Sequence, residues 1–463
     1  MVCPVVRVGR NALHFADPAA YADIYSSPEK LPKDPELYRT FQFGLPSNIF
    51  TVTSHKQHAI FRSMLGSFFS KQTILKLEDV IQERIDKLIS QLVKNHKETP
   101  VGMHFAFRSA TFDIITIYSY RTTLDMTSYP SFRHPILLDI SSRRTTLWLY
   151  KHFPFLVKFV RNFPRWLSGS LVPSSKAQLG VPTEVAKLVD EALQRSSQAP
   201  ISEDESDMNV FYSVIRNAGT KNQQYVTREY LISEGVDLRI AGSDTVGNAC
   251  SVGARHLVRD DRVRKKLVAE LDEAWPDRDS HMPLERLEKL PYLVCSFSSS
   301  SPHRTKTHKV SKTAVIKECL RLSHGVVSPM QRVVTDTEVI IAGHRVPPGT
   351  IVSMANPFVH LNPDIFPEPE RFYPERWLEV KDHTLERYLV SFGKGPRTCL
   401  GINLAWSELY MIIGNVFRKL ELKTDMDLGL KAAFRRQEVR FKEAFVPEFD
   451  GSVLDATVVE RLT

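Results

Sequence analysis

The 463 residues contain no run of about 18 uncharged apolar residues, so no stretch of the chain reads as a membrane-spanning helix. They also lack a CxxC pair. The five cysteines (Cys3, Cys250, Cys295, Cys319 and Cys399) are odd in number and widely spaced, which argues against a disulfide framework or a zinc site and fits a reducing compartment. There is no basic tail and no internal repeat. The formal net charge of +8, from 61 Lys and Arg against 53 Asp and Glu, is spread along the chain, so nucleic acid is not implied; an acidic partner or an anionic membrane surface fits better. What is present is 42% hydrophobic and 25% charged residues, an ordinary globular mixture long enough for a single large helical domain over 1–463 that can bury a cofactor.

The nearest approach to a membrane span, TLWLYKHFPFLVKFVRNFPRWL (146–167), is broken by Lys151, Lys158, Arg161 and two prolines. Two readings stay open for it: a surface helix pair making peripheral contact with a lipid interface, or a plain core-facing amphipathic stretch. The opening residues alternate through Val6, Val8, Leu13 and Phe15 about a turn at 9–11, which predicts a hairpin. A strand as first element also leads us to expect that the natural N-terminus lies upstream. Between about 56 and 260 the period is helical, as in KLEDVIQERIDKLISQLV (76–93), interrupted by an acidic loop at 199–208. A long segment from about 227 to 259 reads as one helix, yet AGSDT (241–245) sits in its middle, where glycine costs about 1 kcal/mol relative to alanine. This predicts a local opening. After 321 short strands and turns follow, then a Pro-rich stretch (362–377), a cysteine loop and a closing helix. The class is mainly α with a small β region.

The cysteine loop is FGKGPRTCLG (392–401). Its glycines permit close backbone approach to a flat ligand and free N–H groups to point at sulfur. Such donors, with Arg397 nearby, favour a thiolate, and a thiolate at the mouth of a helix beside Phe392 is a suitable axial ligand for haem iron. On the residue alone, a buried structural cysteine is the commoner case.

The pattern F-G-x-G-x-R-x-C-x-G resembles the signature of the cytochrome P450 superfamily, and further motifs occur in the expected order. KECLR supplies Glu318 and Arg321, FYPERW supplies Arg376, and AGSDT matches the oxygen-binding groove of the long central helix. The likeness runs over nearly the whole chain and is strongest to fungal members of secondary metabolism. It implies the cytochrome P450 fold, haem (heme b) with Cys399 as iron ligand and Phe392 and Gly393 beside it, and electrons from NADPH through a cytochrome P450 reductase. It further implies O2 as co-substrate, an apolar natural product such as a terpenoid as substrate, and the endoplasmic reticulum membrane as location. Microsomal relatives carry an apolar helix ahead of the strand at which this chain begins.

The individual roles have physical content of their own. Glu318 and Arg321 are three apart, hence on one helical face, and Arg376 from the Pro-rich loop would let one carboxylate bridge two guanidinium groups and lock the loop that carries Cys399. Otherwise the pair is an exposed one worth a few tenths of a kcal/mol. Asp244 and Thr245 would relay protons where the helix opens; the plain alternative is a bend in a core helix. The haem propionates need cationic partners: His58 and Arg62, four apart on one face, with Arg397 and Arg332. A basic face around Lys394 would suit an acidic reductase.

One stretch does not belong. VCSFSSSSPHRTKTHKVSK (294–312) lies between LPYL and TAVIKECLRL, which the family joins directly; it has no apolar period and is rich in Ser, Thr, Lys and His. Its ends suit the codons GTATGT and AAG, so we expect a translated intron rather than a surface loop. The rival to an active enzyme is therefore a truncated or intron-interrupted product that does not bind haem. A haem-thiolate isomerase or nitric oxide reductase is a third reading, and Asp244 beside Thr245 argues against the isomerase.

Overall fold

The structure is a computed structural model that describes residues 3–27, 31–42, 45–141, 153, 180–198, 209–290, 292–293, 314–379, 384–424, 441–449 and 453–461. The segments 146–152, 154–167, 199–208 and 294–312 lie outside these residues, so the two readings of the amphipathic stretch, the acidic loop and the insert fall beyond the description.

The hairpin expected at the start is formed by β1 (Val5–Gly9) and β2 (Ala12–Phe15), with Val5 opposite Phe15. Two later strands, β3 (Arg332–Val333) and β4 (Ile351–Ser353), complete a sheet in the order β1-β2-β4-β3; β2 and β4 run parallel and β3 is antiparallel to β4. The buried face of this sheet packs Phe15, Val352 and Met354 against Tyr21, Ile24 and Tyr25 as a core of its own. The larger core belongs to the helices. They are α1 (His55–Gly66), α2 (Glu78–Asn95), α3 (Met103–Tyr120), α4 (Gly180–Gln198), α5 (Arg228–Arg259), α6 (Ala314–Ser323) and α7 (Ile402–Lys419).

The central helix α5 begins where the sequence places it, because the Thr227 hydroxyl accepts the N–H of Tyr230 as an N-cap. Its 32 residues make a rod of about 48 Å. It does not open at AGSDT. The helix is continuous, and Thr245 Oγ1 donates to the Ala241 carbonyl at 3.0 Å in the ordinary intrahelical manner. The glycine serves packing instead: a Cβ on Gly242 would stand 2.6 Å from Ile115 Cγ1, and one on Gly247 would stand 2.6 Å from Arg108 Cγ. Both contacts are with α3, so the glycines permit the close crossing of α3 and α5.

After α7, the helix expected to close the chain, more strands follow. Leu420–Lys423 pairs with Asp455–Glu460, which also reaches Val101–Gly102, while Phe441–Ala444 and Val446–Phe449 form a hairpin. No helix among the described residues is long and apolar enough to cross a membrane.

The junction around the insert is closed by its flanks. Val315 N–H donates to the Tyr292 carbonyl at 3.3 Å, and Leu293 N–H donates to Glu270 Oε2 at 2.7 Å. Tyr292 and the start of α6 thus meet as they would if Leu293 continued into the helix. Deleting 294–312 is expected to change unfolding free energy by no more than about 1 kcal/mol, read by denaturant titration; a loss of several kcal/mol would show that the stretch is part of the fold. Transcript sequencing tests the intron separately, and a message retaining the stretch in most copies refutes it.

Candidate active site

Between the β lobe and the helices lies one cavity of about 840 Å³, at the large end of small-molecule pockets. Cys399 lies at its edge. Gly393 and Gly395 take φ of +69° and +70°, and a Cβ on Gly395 would meet the Tyr25 carbonyl oxygen at 2.2 Å, so that turn requires glycine. The loop closes through Cys399 N–H donating to the Phe392 carbonyl at 2.9 Å, and α7 starts just beyond, with Gly401 as its N-cap. Phe392 packs on Trp406 at a ring-centroid distance of 5.9 Å. The Cys399 side chain is open to the cavity yet enclosed by protein. Burial pushes its thiol up, opposed by the Gly401 amide and by Arg62. Arg397 is not the cation that acts on the sulfur; its guanidinium donates to the carbonyls of Val52 at 2.7 Å and Thr53 at 2.9 Å.

The basic residues named from the sequence gather on this cavity. His58, Arg62, Arg332 and Arg397 all line it. Arg62 Nη1 donates to the Thr398 carbonyl at 2.7 Å, which ties α1 to the cysteine loop, and Arg332 Nη1 donates to the Tyr38 hydroxyl at 3.0 Å. Burial, reinforced by Arg397, Lys33 and Arg62, drives the His58 imidazole down to about 3, so at neutral pH it is uncharged rather than a cation. Lys33 is an unforeseen member. It is buried, lines the same cavity, and is held well below its ordinary value by burial and then by Arg332 and Arg397. Nothing in LPKDP marked it, because it reaches the site through an isolated bridge to Arg332, far away in sequence.

Among the described residues no carboxylate forms an ion pair with Lys33, Arg62, Arg332 or Arg397 in this wall of mutually repelling cations, and the buried Nε of Arg397 has no partner among them. Arg397 itself is lowered to about 10 by burial and then by Arg332. A flat, dianionic ligand would relieve all of these at once, and the donors fit haem propionates. The opposite wall is α5, where Ala241, Gly242, Asp244 and Thr245 face the cavity. Asp244 is paired: Arg108 of α3 donates from Nε at 2.8 Å and also from Nη2, both groups being buried, and Arg108 Nη1 donates to Ser141 at 2.9 Å. A helix-period reading of α3 shows an arginine on a mainly apolar helix, and that was the available signal for Arg108. Glu408 on α7 also lines the cavity. Neither carboxyl oxygen has a partner among the described residues, and burial pushes it well above the carboxylate range.

Behind the cysteine loop, Glu318 accepts from Arg321 Nε at 3.0 Å and Nη2 at 2.7 Å, from Arg376 Nε at 3.2 Å, from Trp377 Nε1 at 2.9 Å and from the Tyr373 amide at 2.9 Å. The pair is buried, so the exposed alternative does not apply. Burial alone would raise the Glu318 carboxyl; Arg321 and Arg376 overcome it and hold it below the ordinary value.

Two predictions follow from these pairs. Because the folded carboxyl of Glu318 is lowered, its stability contribution is present above the ordinary glutamate value and fades as pH falls through the lowered one; Glu318→Gln is expected to cost about 3–5 kcal/mol at pH 7 and to flatten that acid-side slope in denaturant titrations. Asp244→Ala strands the buried Arg108 and is expected to cost about 3–5 kcal/mol, whereas Thr245→Ala removes one hydroxyl and costs about 1 kcal/mol. Equal losses in thermal unfolding would contradict the pairing.

The comparisons agree with this geometry. The family profile described as Cytochrome P450 matches residues 12–297 and 312–442, with its gap inside the insert. A Penicillium crustosum protein named "Cytochrome P450 monooxygenase claJ" is 31% identical over 429 residues, covering 91% of each chain. The "Conidiogenone synthase PchP450" of Penicillium rubens is 30% identical, covering 92% of this chain and 80% of its own. The Aspergillus parasiticus "Cytochrome P450 monooxygenase aflU" is 31% identical, with 90% and 79% covered. A cysteine open to a basic-walled cavity, the buried Glu318 lock and this likeness over most of the chain lead to one conclusion: the chain belongs to the cytochrome P450 family of monooxygenases.

Proposed function

We propose that the chain is a haem-thiolate monooxygenase that takes electrons from NADPH through a separate reductase and inserts one atom of O2 into an apolar fungal secondary metabolite, such as a terpenoid intermediate. The observation that carries this reading is the Cys399 sulfur and the cationic wall opening into one and the same cavity. Haem, when bound, would supply the oxidising chemistry, with the thiolate favouring O–O cleavage. Cys399 would hold the iron. Arg62, Arg332, Arg397 and Lys33 would meet the propionates, and neutral His58 would add a hydrogen bond. The Thr245 hydroxyl, now on the Ala241 carbonyl, is the group on the facing helix that can turn to pass a proton, with Asp244 held behind it by Arg108. Glu318 and its arginines keep the cysteine loop in place.

The apolar lining and the relatives' names support the substrate class, and a terpenoid is our own reading of it. The family expectation of an endoplasmic reticulum location, with the reductase docking near Lys394, belongs to the same proposal.

The test is the reduced, carbon-monoxide-bound spectrum of the expressed chain. The red-shifted Soret band of thiolate ligation is expected, and Cys399→Ser should abolish both the band and NADPH-dependent turnover. An unchanged spectrum and turnover in Cys399→Ser would overturn the assignment, and a wild-type chain without haem absorption would favour the non-binding product instead.

A further inference from the structure

Away from the cysteine, the cavity wall is largely apolar, built from side chains such as Ile115, Ile232, Val236, Ile240 and Phe445. Beside Asp244 and Glu408, a third carboxyl stands in the lining. Asp237, on α5, lines the cavity, and among the described residues no hydrogen bond or ion pair reaches it. Its neighbour one turn earlier is engaged: Glu234 Oε2 accepts the Ile49 amide at 3.0 Å and the Tyr230 phenol lies beside the carboxyl. Lys33, whose field reaches Asp237, donates to the Phe50 carbonyl and faces the rings of Tyr38 and Phe50 at 4.4 and 4.7 Å.

A carboxyl facing an apolar cavity with no partner is costly to the empty protein and becomes an asset once a ligand satisfies it. Burial raises Asp237 to about 7 with Lys33 pulling the other way, so near neutrality the group both donates and accepts. A hydroxyl matches a group that gives and takes one proton.

We propose that Asp237 is the polar anchor of the substrate, taking the hydroxyl of an otherwise apolar, already oxygenated skeleton and so selecting the carbon that is oxidised. This rests on the monooxygenase reading above. Asp237 and Thr245 both line the cavity and are eight residues apart on one helix, about 12 Å along its axis. The anchor and the proton-passing hydroxyl thus set a ruler: oxidation falls at a carbon remote from the existing oxygen. The substrate must come from a step that leaves a hydroxyl, either an earlier hydroxylation or a cyclisation ended by water.

Equilibrium dialysis of the haem-loaded full chain with farnesol, its methyl ether and farnesene tests the anchor. Wild type should hold farnesol about tenfold more tightly than the ether, the worth of one hydrogen bond to a buried group. Asp237→Leu should erase that preference, while Asp237→Asn keeps part of it. A wild-type ratio near one, including the case in which no probe binds, overturns the proposal, as does a preference that survives in Asp237→Leu. Should the leucine variant fail to load haem, the wild-type ratio still decides. Failure of the monooxygenase reading would appear differently, as absent thiolate-type absorption before any probe is added.

Discussion

Everything near the sulfur depends on the carboxylate of Glu318. Its five donors come from α6 itself and from the Pro-rich stretch, and both meet again at the cysteine loop. Arg321 also donates to the His360 carbonyl at 2.7 Å, and the His360 ring accepts Val390 N–H at 3.0 Å, just before the loop begins. Ser391 donates to the Leu320 carbonyl at 2.9 Å, returning to the same helix. The charge is expensive to bury and is held by so many donors that one geometry is far preferred. A ligand atom that must meet a metal gains from such rigidity, since its position is set before binding.

The site's other constraint is charge without internal compensation. Arg332 and Arg397 both lower Lys33, and Arg332 lowers Arg397, while their guanidinium and ammonium groups rest on backbone carbonyls and on Tyr38. Across the cavity the opposite economy applies, for Asp244 is paired with a buried arginine. One wall is thus arranged to receive anions and the other to hold a carboxylate still.

Much of this was legible in the sequence where the signal is local. The span of α5 followed from helical period, the first hairpin from alternation, and Glu318 with Arg321 from a three-residue spacing. What depends on distant pairing was not. Lys33 joins the site through a bridge to Arg332, Arg108 finds Asp244 across a helix crossing, and the strands after α7 pair with Val101 and Gly102. The glycine of AGSDT was legible as a cost, but its benefit lies on α3, which no reading along α5 alone can reach. Arg397 was placed near the sulfur by adjacency along the chain; its side chain follows the backbone of 52–54 instead.

The hydrogen bond from Val315 to Tyr292 has a topological consequence. Two points that far apart along the chain are adjacent in space, so the polypeptide could be reopened there and the two ends of this sequence linked elsewhere without disturbing the contacts that Glu318 organises. A circular permutant begun at α6 would carry Glu318 near the new N-terminus, ahead of every strand of the β lobe.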